Sequence, residues 1–286
     1  MSTTVRVAAV QIDSTLGEVA HNRTLILRKL REAASGGARL IVFPECALTG
    51  YGFESRAEAI ACAEPIPGPS VQKIAVACAE LGVWAAFGML ESHGSLLYNA
   101  CPLVGPSGLV GSYRKVHLPF MGVDRFADRG DRPFELLEAA GLRVGLHICY
   151  DGAFPEACRV LTLLGADILV LPTNWPERTE PLAEHMMACR AIENVVYAMA
   201  VNRVGEERGT RFIGLSAIHD PLGQTLARAS GDRQEILYAE IDPARARQKR
   251  IVRVPGLHEL DRIADRRPEF YQILVEAISP AGSRQA

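Results

Sequence analysis

The sequence predicts an α/β fold, with helices layered over β-sheet, on two observations. The first is a βαβ opening. Residues 5–10 (Val5-Arg6-Val7-Ala8-Ala9-Val10) form a buried strand. Residues 22–34 carry apolar side chains at helical spacing and stop at Gly36-Gly37, and 40–43 form a second buried strand cut off by Pro44. The second is an internal echo. Ser35-Gly36-Gly37-Ala38-Arg39-Leu40-Ile41-Val42-Phe43-Pro44 and Leu164-Gly165-Ala166-Asp167-Ile168-Leu169-Val170-Leu171-Pro172 both run helix end, glycine, alanine, polar residue, apolar strand, proline. The turn Gly105-Pro106-Ser107-Gly108 likewise has a counterpart in Asp220-Pro221-Leu222-Gly223. Two similar α/β halves in one domain explain both echoes; punctuation shared by any two αβ units explains them equally well.

The remaining elements follow in order. Ser70 is expected to cap a helix running to Leu81, with Gly82 as its stop and Lys73 exposed. Strands are expected over 83–90, 97–104 and 109–113, the last two joined by the Gly105–Gly108 turn. Later strands fall at 142–148, 168–171, 196–201, 212–218 and 236–241, with helices over 155–164 and 182–194. The charged stretch after Ile241 reads as an exposed helix or a subunit contact. A catalytic domain is thus expected over 1–245 and a C-terminal extension over 246–286.

Composition excludes several classes. The 286 residues include 31 Lys+Arg against 33 Asp+Glu and are 48% hydrophobic, which describes neither a disordered nor a supercharged chain. At this size about 75% of the extended-chain surface can be buried, so no disulfide or metal staple is needed. A formal charge of -2 gives no broad attraction for nucleic acid or an anionic membrane. Apolar runs such as 195–201 fall far short of the roughly 20 residues of a membrane span, and the N-terminus lacks signal-peptide features. The 7 cysteines are scattered and show no C-x-x-C pair, which suits buried thiols in a reducing cytoplasm better than a disulfide framework. No phosphate-cradling glycine loop and no zinc-ligand spacing is present, so neither cofactor nor metal is expected.

Three segments place a reactive group just beyond a predicted strand. They are Phe43-Pro44-Glu45, Tyr113-Arg114-Lys115-Val116-His117-Leu118 and His147-Ile148-Cys149-Tyr150-Asp151. Ligand sites of open α/β sheets gather at the carboxyl ends of strands. A carboxylate, an ammonium and a thiol there suffice for acyl transfer, as base, oxyanion stabiliser and nucleophile. Singly, each residue is as well read as a packing thiol, a solvated lysine or a capping glutamate.

Taken in order, these segments resemble the signatures of the nitrilase superfamily of carbon–nitrogen hydrolases. So do Thr49-Gly50-Tyr51, Phe154-Pro155-Glu156, Leu171-Pro172-Thr173-Asn174-Trp175, Arg190-Ala191-Ile192-Glu193-Asn194, Asn202-Arg203-Val204-Gly205 and Phe212-Ile213-Gly214-Leu215-Ser216. The resemblance covers most of residues 5–245. It implies a four-layer α-β-β-α sandwich with internal pseudo-symmetry, usually paired as a homodimer or larger assembly. It also implies a cofactor-free Glu-Lys-Cys site, carried here onto Glu45, Lys115 and Cys149. Glu45 would take the thiol proton, and Lys115 with the Tyr150 backbone N–H would stabilise the oxyanion.

One departure from the pattern is visible. Many members have a second Glu after the lysine segment, whereas 122–131 contains none. Asp124 is the substitute, either orienting Lys115 through a water or facing Arg125 or Arg129 in a surface loop. Tyr51, Tyr150, Asn174 and Trp175 are the candidate substrate contacts, with cover and packing as their alternative roles. Asp151, Glu156 and Arg159 are read as braces of the nucleophile turn, while Cys46 points inward. The expected reaction is hydrolysis of a small linear amide. An N-carbamoyl amine or amino-acid hydrolase and a catalytically silent binding protein are the alternatives. Cys149-Tyr150-Asp151 departs from the Cys-Trp-Glu run of many nitrile hydrolases, so a nitrile fits less well.

Overall fold

Alternation along the first strand sets the layering. In β1 (Val5–Gln11), Val7 and Ala9 face one core while Ala8 and Val10 face another. A strand apolar on both faces belongs inside a layered fold. The computed structural model describes residues 4–276, and the chain divides between Gln248 and Lys249 into two units.

The first unit begins with β1, α1 (Val19–Ser35), β2 (Leu40–Val42), α2 (Arg56–Cys62) and α3 (Pro69–Leu81). β3 (Trp84–Ala86), β4 (Met89–His93), β5 (Leu96–Gly105) and β6 (Gly108–Arg114) complete its first half. The second half runs β7 (Leu136–Ala139), β8 (Leu142–Leu146), α4 (Pro155–Leu164), β9 (Ile168–Pro172), α5 (Met187–Asn194) and β10 (Tyr197–Val201). β11 (Glu206–Glu207), β12 (Thr210–Arg211), β13 (Ala217–His219) and β14 (Thr225–Arg228) follow. β15 (Glu235–Ile241) then returns to pair with β1, and α6 (Pro243–Arg247) ends the unit.

The two sheets repeat one plan. One has the order β15-β1-β2-β3-β5-β4, with β6 also on β5; the other has the order β14-β13-β10-β9-β8-β7. β1, β2 and β3 are parallel, as are β8, β9 and β10. Each triplet is flanked by antiparallel strands, β15 and β5 in one sheet and β7 and β13 in the other. The sequence echo is therefore a structural repeat. α1 leads into β2 as α4 leads into β9, and the two echoed turns join β5 to β6 and β13 to β14.

Three cores separate four layers. Val7, Val42 and Leu103 of one sheet meet Val144, Val170 and Met199 of the other. Outside the first sheet, Leu25, Ile26 and Leu30 of α1 and Ile74 of α3 cover Val10 and Ile41. Outside the second, Leu161 of α4 and Met187 of α5 cover Leu169 and Leu171. Each fully buried Leu or Ile contributes roughly 1.5–3 kcal/mol by leaving water. The result is an α-β-β-α sandwich.

Several boundaries differ from the expected ones. The run 83–90 is two strands, broken at Phe87-Gly88, because the chain there lies directly against the loop after β2. A Cβ on Gly88 would sit 2.1 Å from the Cys46 nitrogen and 2.5 Å from the Glu45 Cα. Only 217–218 of the expected strand 212–218 joins a sheet; the N–H groups of Ile213, Gly214 and Leu215 go to Trp175, Arg203 and Ser230 carbonyls instead. Gly68, not Ser70, occupies the N-cap of α3. Ser70 lies in the first turn, where its N–H and hydroxyl both donate to the Glu64 carboxylate (2.7 and 2.8 Å). The helix expected over 182–194 opens with a π-turn at Leu182–Met186 before α5.

In the charged stretch after Ile241, Arg245 donates to Asp220 (2.9 Å) and Arg247 to both oxygens of buried Asp167 (2.9 and 2.8 Å). These two cations are engaged within their own unit, where a role in a subunit contact was open. The second unit contains a hairpin of β16 (Arg250–Val254) and β17 (His258–Asp261), followed by short 3-10 turns. Among the described residues, no helix is long and apolar enough to cross a membrane.

Candidate active site

Chain breaks after the strands build the site. Pro44 has no N–H to extend the β2 ladder, so the chain turns away and delivers Glu45. Lys115 follows β6, Cys149 follows β8, and Asn174 and Trp175 follow β9. Glu45 and Lys115 follow strands of one sheet, and Cys149, Asn174 and Trp175 follow strands of the second, all at the carboxyl ends. Side-chain alternation at the end of β6 separates Arg114 from Lys115. Arg114 turns away to Glu91 (2.7 and 2.5 Å) and Asp131 (2.9 Å), stacked over Tyr98. Lys115 turns inward.

The Lys115 ammonium donates to Glu45 Oε1 (2.7 Å) and to Asp124 Oδ2 (2.5 Å), and all three side chains are buried. Asn99 Nδ2 bridges the same carboxylates, at 2.7 Å from Glu45 Oε1 and 2.9 Å from Asp124 Oδ1. The Tyr51 hydroxyl donates to Asp124 Oδ2 (2.9 Å). Buried ions are costly unless paired and hydrogen-bonded, which is what the cation between two anions and the two neutral donors achieve. Burial works against the Lys115 charge, but Asp124 and Glu45 outweigh it and hold its pKa well above the ordinary value. Glu45 is raised above the usual carboxylate value by burial, with Lys115 opposing the rise and Asp124 adding to it. Its second oxygen, Oε2, is buried and has no hydrogen-bond partner among the described residues.

Asp124 is thus neither on a surface loop nor paired to Arg125 or Arg129, and it touches Lys115 directly with no water between. Gly122 makes this possible. At φ +48 it carries the loop over Tyr51, whose ring a Cβ would meet at 2.3 Å.

Cys149 occupies a tight turn in the left-handed region (φ 47). Such a conformation in a non-glycine residue needs surrounding support. Asp151 supplies it. Its carboxylate accepts the Ile148 N–H (2.9 Å), the Tyr113 hydroxyl (2.8 Å) and the His117 N–H (2.9 Å), and it lies 2.7 Å from His117 Nδ1. Asp151 does brace this turn, as expected. Glu156 is exposed, and Arg159 donates to the Glu193 carbonyl (2.9 Å) on α5. Burial and then Glu45 push the Cys149 thiol up to about 12, against Lys115, Thr173 and the Asn174 backbone N–H. The resting sulfur is therefore a thiol, not the standing thiolate that a nearby lysine alone would favour.

Cys149 opens on a cavity of about 140 Å³ lined by Tyr51, Met121, Tyr150, Asn174, Trp175 and Leu182, among others. All four candidate substrate contacts meet there. Tyr150 is partly exposed with its ring edge-on to Phe154, whereas Tyr51, Asn174 and Trp175 are buried. Asn99 was missed from the sequence: a lone asparagine inside a strand carries no local mark of partners 54 and 25 residues away.

The carbon-nitrogen hydrolase family model matches residues 6–251. The chain is 39% identical over 268 residues to a nitrilase of Pyrococcus abyssi, covering 93% of this chain and 99% of that protein. It is 33% identical over 247 residues to an (R)-stereoselective amidase of Pseudomonas sp., covering 86% and 88%. In fold it matches a solved amidase variant from Nesterenkonia sp. that carries the acetamide moiety of fluoroacetamide on its active-site cysteine. That match has a TM-score of 0.76 at 22% identity, over 94% of this chain and 96% of the other. The strand order, the repeat and the family match agree: this chain belongs to the carbon–nitrogen hydrolases of the nitrilase superfamily.

Proposed function

We propose that the protein hydrolyses the C–N bond of a small linear amide through a thioester on Cys149, releasing ammonia. The observation that carries this reading is the buried Glu45–Lys115 pair (2.7 Å) whose charges both act on a thiol at the mouth of a cavity. The adduct on the Nesterenkonia amidase's cysteine adds support by analogy.

The steps balance as follows. Glu45 takes the Cys149 proton as sulfur attacks the amide carbonyl carbon. The raised pKa of the carboxyl brings donor and acceptor closer in proton affinity than an exposed carboxylate would. The carbonyl oxygen becomes an oxyanion held by the Lys115 ammonium and the Tyr150 backbone N–H. Glu45 then passes its proton to nitrogen, the C–N bond breaks and ammonia leaves. Glu45 next takes a proton from water, the hydroxide adds to the thioester, and the C–S bond breaks. The sulfur recovers its proton and the acid is released. Asp124 and Asn99 act through Lys115 and Glu45, which they hold in place; they are positioning residues.

We also propose a homodimer or larger assembly. Val160, Leu163 and Leu164 of α4 and Ile192 of α5 leave apolar surface exposed on an outer layer, which a second copy would cover. Sedimentation at micromolar concentration is expected to give a dimer or more, and a monomer would contradict it. The free thiols fit a reducing cytoplasm.

A panel of amides, carbamoyl compounds and nitriles, read by ammonia release, tests the reaction. Turnover of linear amides is expected. Labelling of Cys149 without turnover of any compound would instead indicate a binding protein.

A further inference from the structure

We infer that the substrate is the primary amide of a short, uncharged, apolar acid, and that the Asn174 side chain receives its nitrogen. The inference rests on the thiol-hydrolase reading above and narrows it to a substrate class.

The cavity limits the acyl group. Beyond Cys149 its walls include Met121, Ala153, Trp175, Thr179, Leu182 and Met186, and among the described residues no charged side chain lines it. Its volume of about 140 Å³ is close to that of an apolar cavity known to hold benzene, which gives room for an acyl chain of about six carbons. Lys115 and Arg190 are committed elsewhere. Lys115 lies between Glu45 and Asp124, and Arg190 binds the Gly152 carbonyl and Glu193. Arg129 and His117 line a different hollow, which shares only Tyr150 with this one. A substrate carboxylate buried here would lose its water without gaining a cation, at several kcal/mol. That argues against both ω-monoamides of dicarboxylic acids and N-carbamoyl amino acids.

Asn174 supplies the polar complement. Its side chain is buried against the cavity, and among the described residues neither Oδ1 nor Nδ2 has a partner. A buried polar group left unmatched costs roughly 1–3 kcal/mol, a cost removed when a ligand supplies donor and acceptor. Asn174 and Cys149 line the same cavity, so the carboxamide and the reacting sulfur share one space. The segment is held in place: Asn202 Oδ1 accepts the next N–H, that of Trp175, at 2.9 Å. A primary amide donates N–H to Asn174 Oδ1 while its carbonyl faces Lys115. An ester of the same acid has no such donor.

The test compares kcat/KM for butyramide, glutaramate (butyramide with a carboxylate added at its terminal carbon) and methyl butyrate. In the unaltered protein, butyramide is expected to exceed glutaramate by about a hundredfold or more. Asn174→Leu, of similar size, is expected to lower the butyramide-to-methyl-butyrate ratio by about a hundredfold. Leu182→Arg at the cavity rim is expected to raise glutaramate turnover. Equal use of butyramide and glutaramate by the unaltered protein would overturn the inference, and so would an unchanged amide-to-ester ratio in folded Asn174→Leu. Failure of the underlying reading looks different: neither butyryl compound would leave a butyryl group on Cys149.

Discussion

Cys46 and Cys149 are alike in most local respects. Each lies a few residues beyond a strand in the left-handed region (φ 49 and 47), and each feels the charges of Glu45 and Lys115. Cys46 is even the sequence neighbour of the proposed base. Yet Cys46 is packed among Tyr51, Phe53 and Leu90, with its sulfur on Asn99 Oδ1 (3.7 Å). Burial, then Glu45 and Asp124, drive its pKa well above the ordinary thiol value. Cys149 opens on the cavity, and Lys115, Thr173 and the Asn174 N–H moderate its rise. What separates a nucleophile from a core thiol here is access to the cavity and the balance of charges around the sulfur. Neither backbone conformation nor closeness to the base in sequence decides it.

The largest expected effect tests that contrast directly. Cys149→Ala and Cys149→Ser should fold normally and lose turnover by at least about ten-thousand-fold, since no other group can form the thioester. Steady-state ammonia release measures it, and near-parental activity in Cys149→Ala would remove the mechanism.

Next is Asp124→Asn, which leaves both sulfurs untouched and alters only the field around them. The rate of acyl-enzyme formation in single turnover should fall about ten- to hundredfold, less than for loss of an oxyanion donor. An unchanged acylation rate would make Asp124 structural only.

The pH profile gives a smaller effect. Glu45 must be ionised to accept the thiol proton, and its carboxyl is raised above 4.5. Activity should therefore be lost as pH falls through a value above 4.5, by about tenfold per unit beyond it. Because Asp124 helps raise Glu45, the acid limb of Asp124→Asn should move to lower pH. A limb that does not move would separate Asp124 from the base.

The smallest effect is at the other cysteine. Cys46→Ala should keep its rate and lose stability by about 1 kcal/mol in urea unfolding. A rate loss comparable to that of Cys149→Ala, in a folded protein, would show that the wrong thiol was chosen.

Much of this was legible in the sequence, for physical reasons. Buried parallel strands read as apolar runs closed by glycine or proline, so β1, β2 and β9 are visible without a structure. The repeat shows because both halves use the same helix–glycine–strand–proline punctuation. The break at Phe87-Gly88 does not show, because it is caused by a loop 40 residues earlier pressing on the chain. The position of Asp124 was readable, but its direction was not: inward placement depends on Tyr51 and Asn99, which are distant in sequence. Asn99 itself, which ties Glu45 to Asp124, is visible only in three dimensions.

The central claim is that Cys149 and not Cys46 carries the acyl group. The most direct measurement is acid quenching of the enzyme with butyramide in the first turnover, followed by proteolysis and mass spectrometry of both cysteine peptides. The account predicts a butyryl group on the Cys149 peptide, none on the Cys46 peptide, and loss of the adduct as turnover proceeds. Butyryl on the Cys46 peptide, or steady ammonia release with no adduct on Cys149, would contradict it.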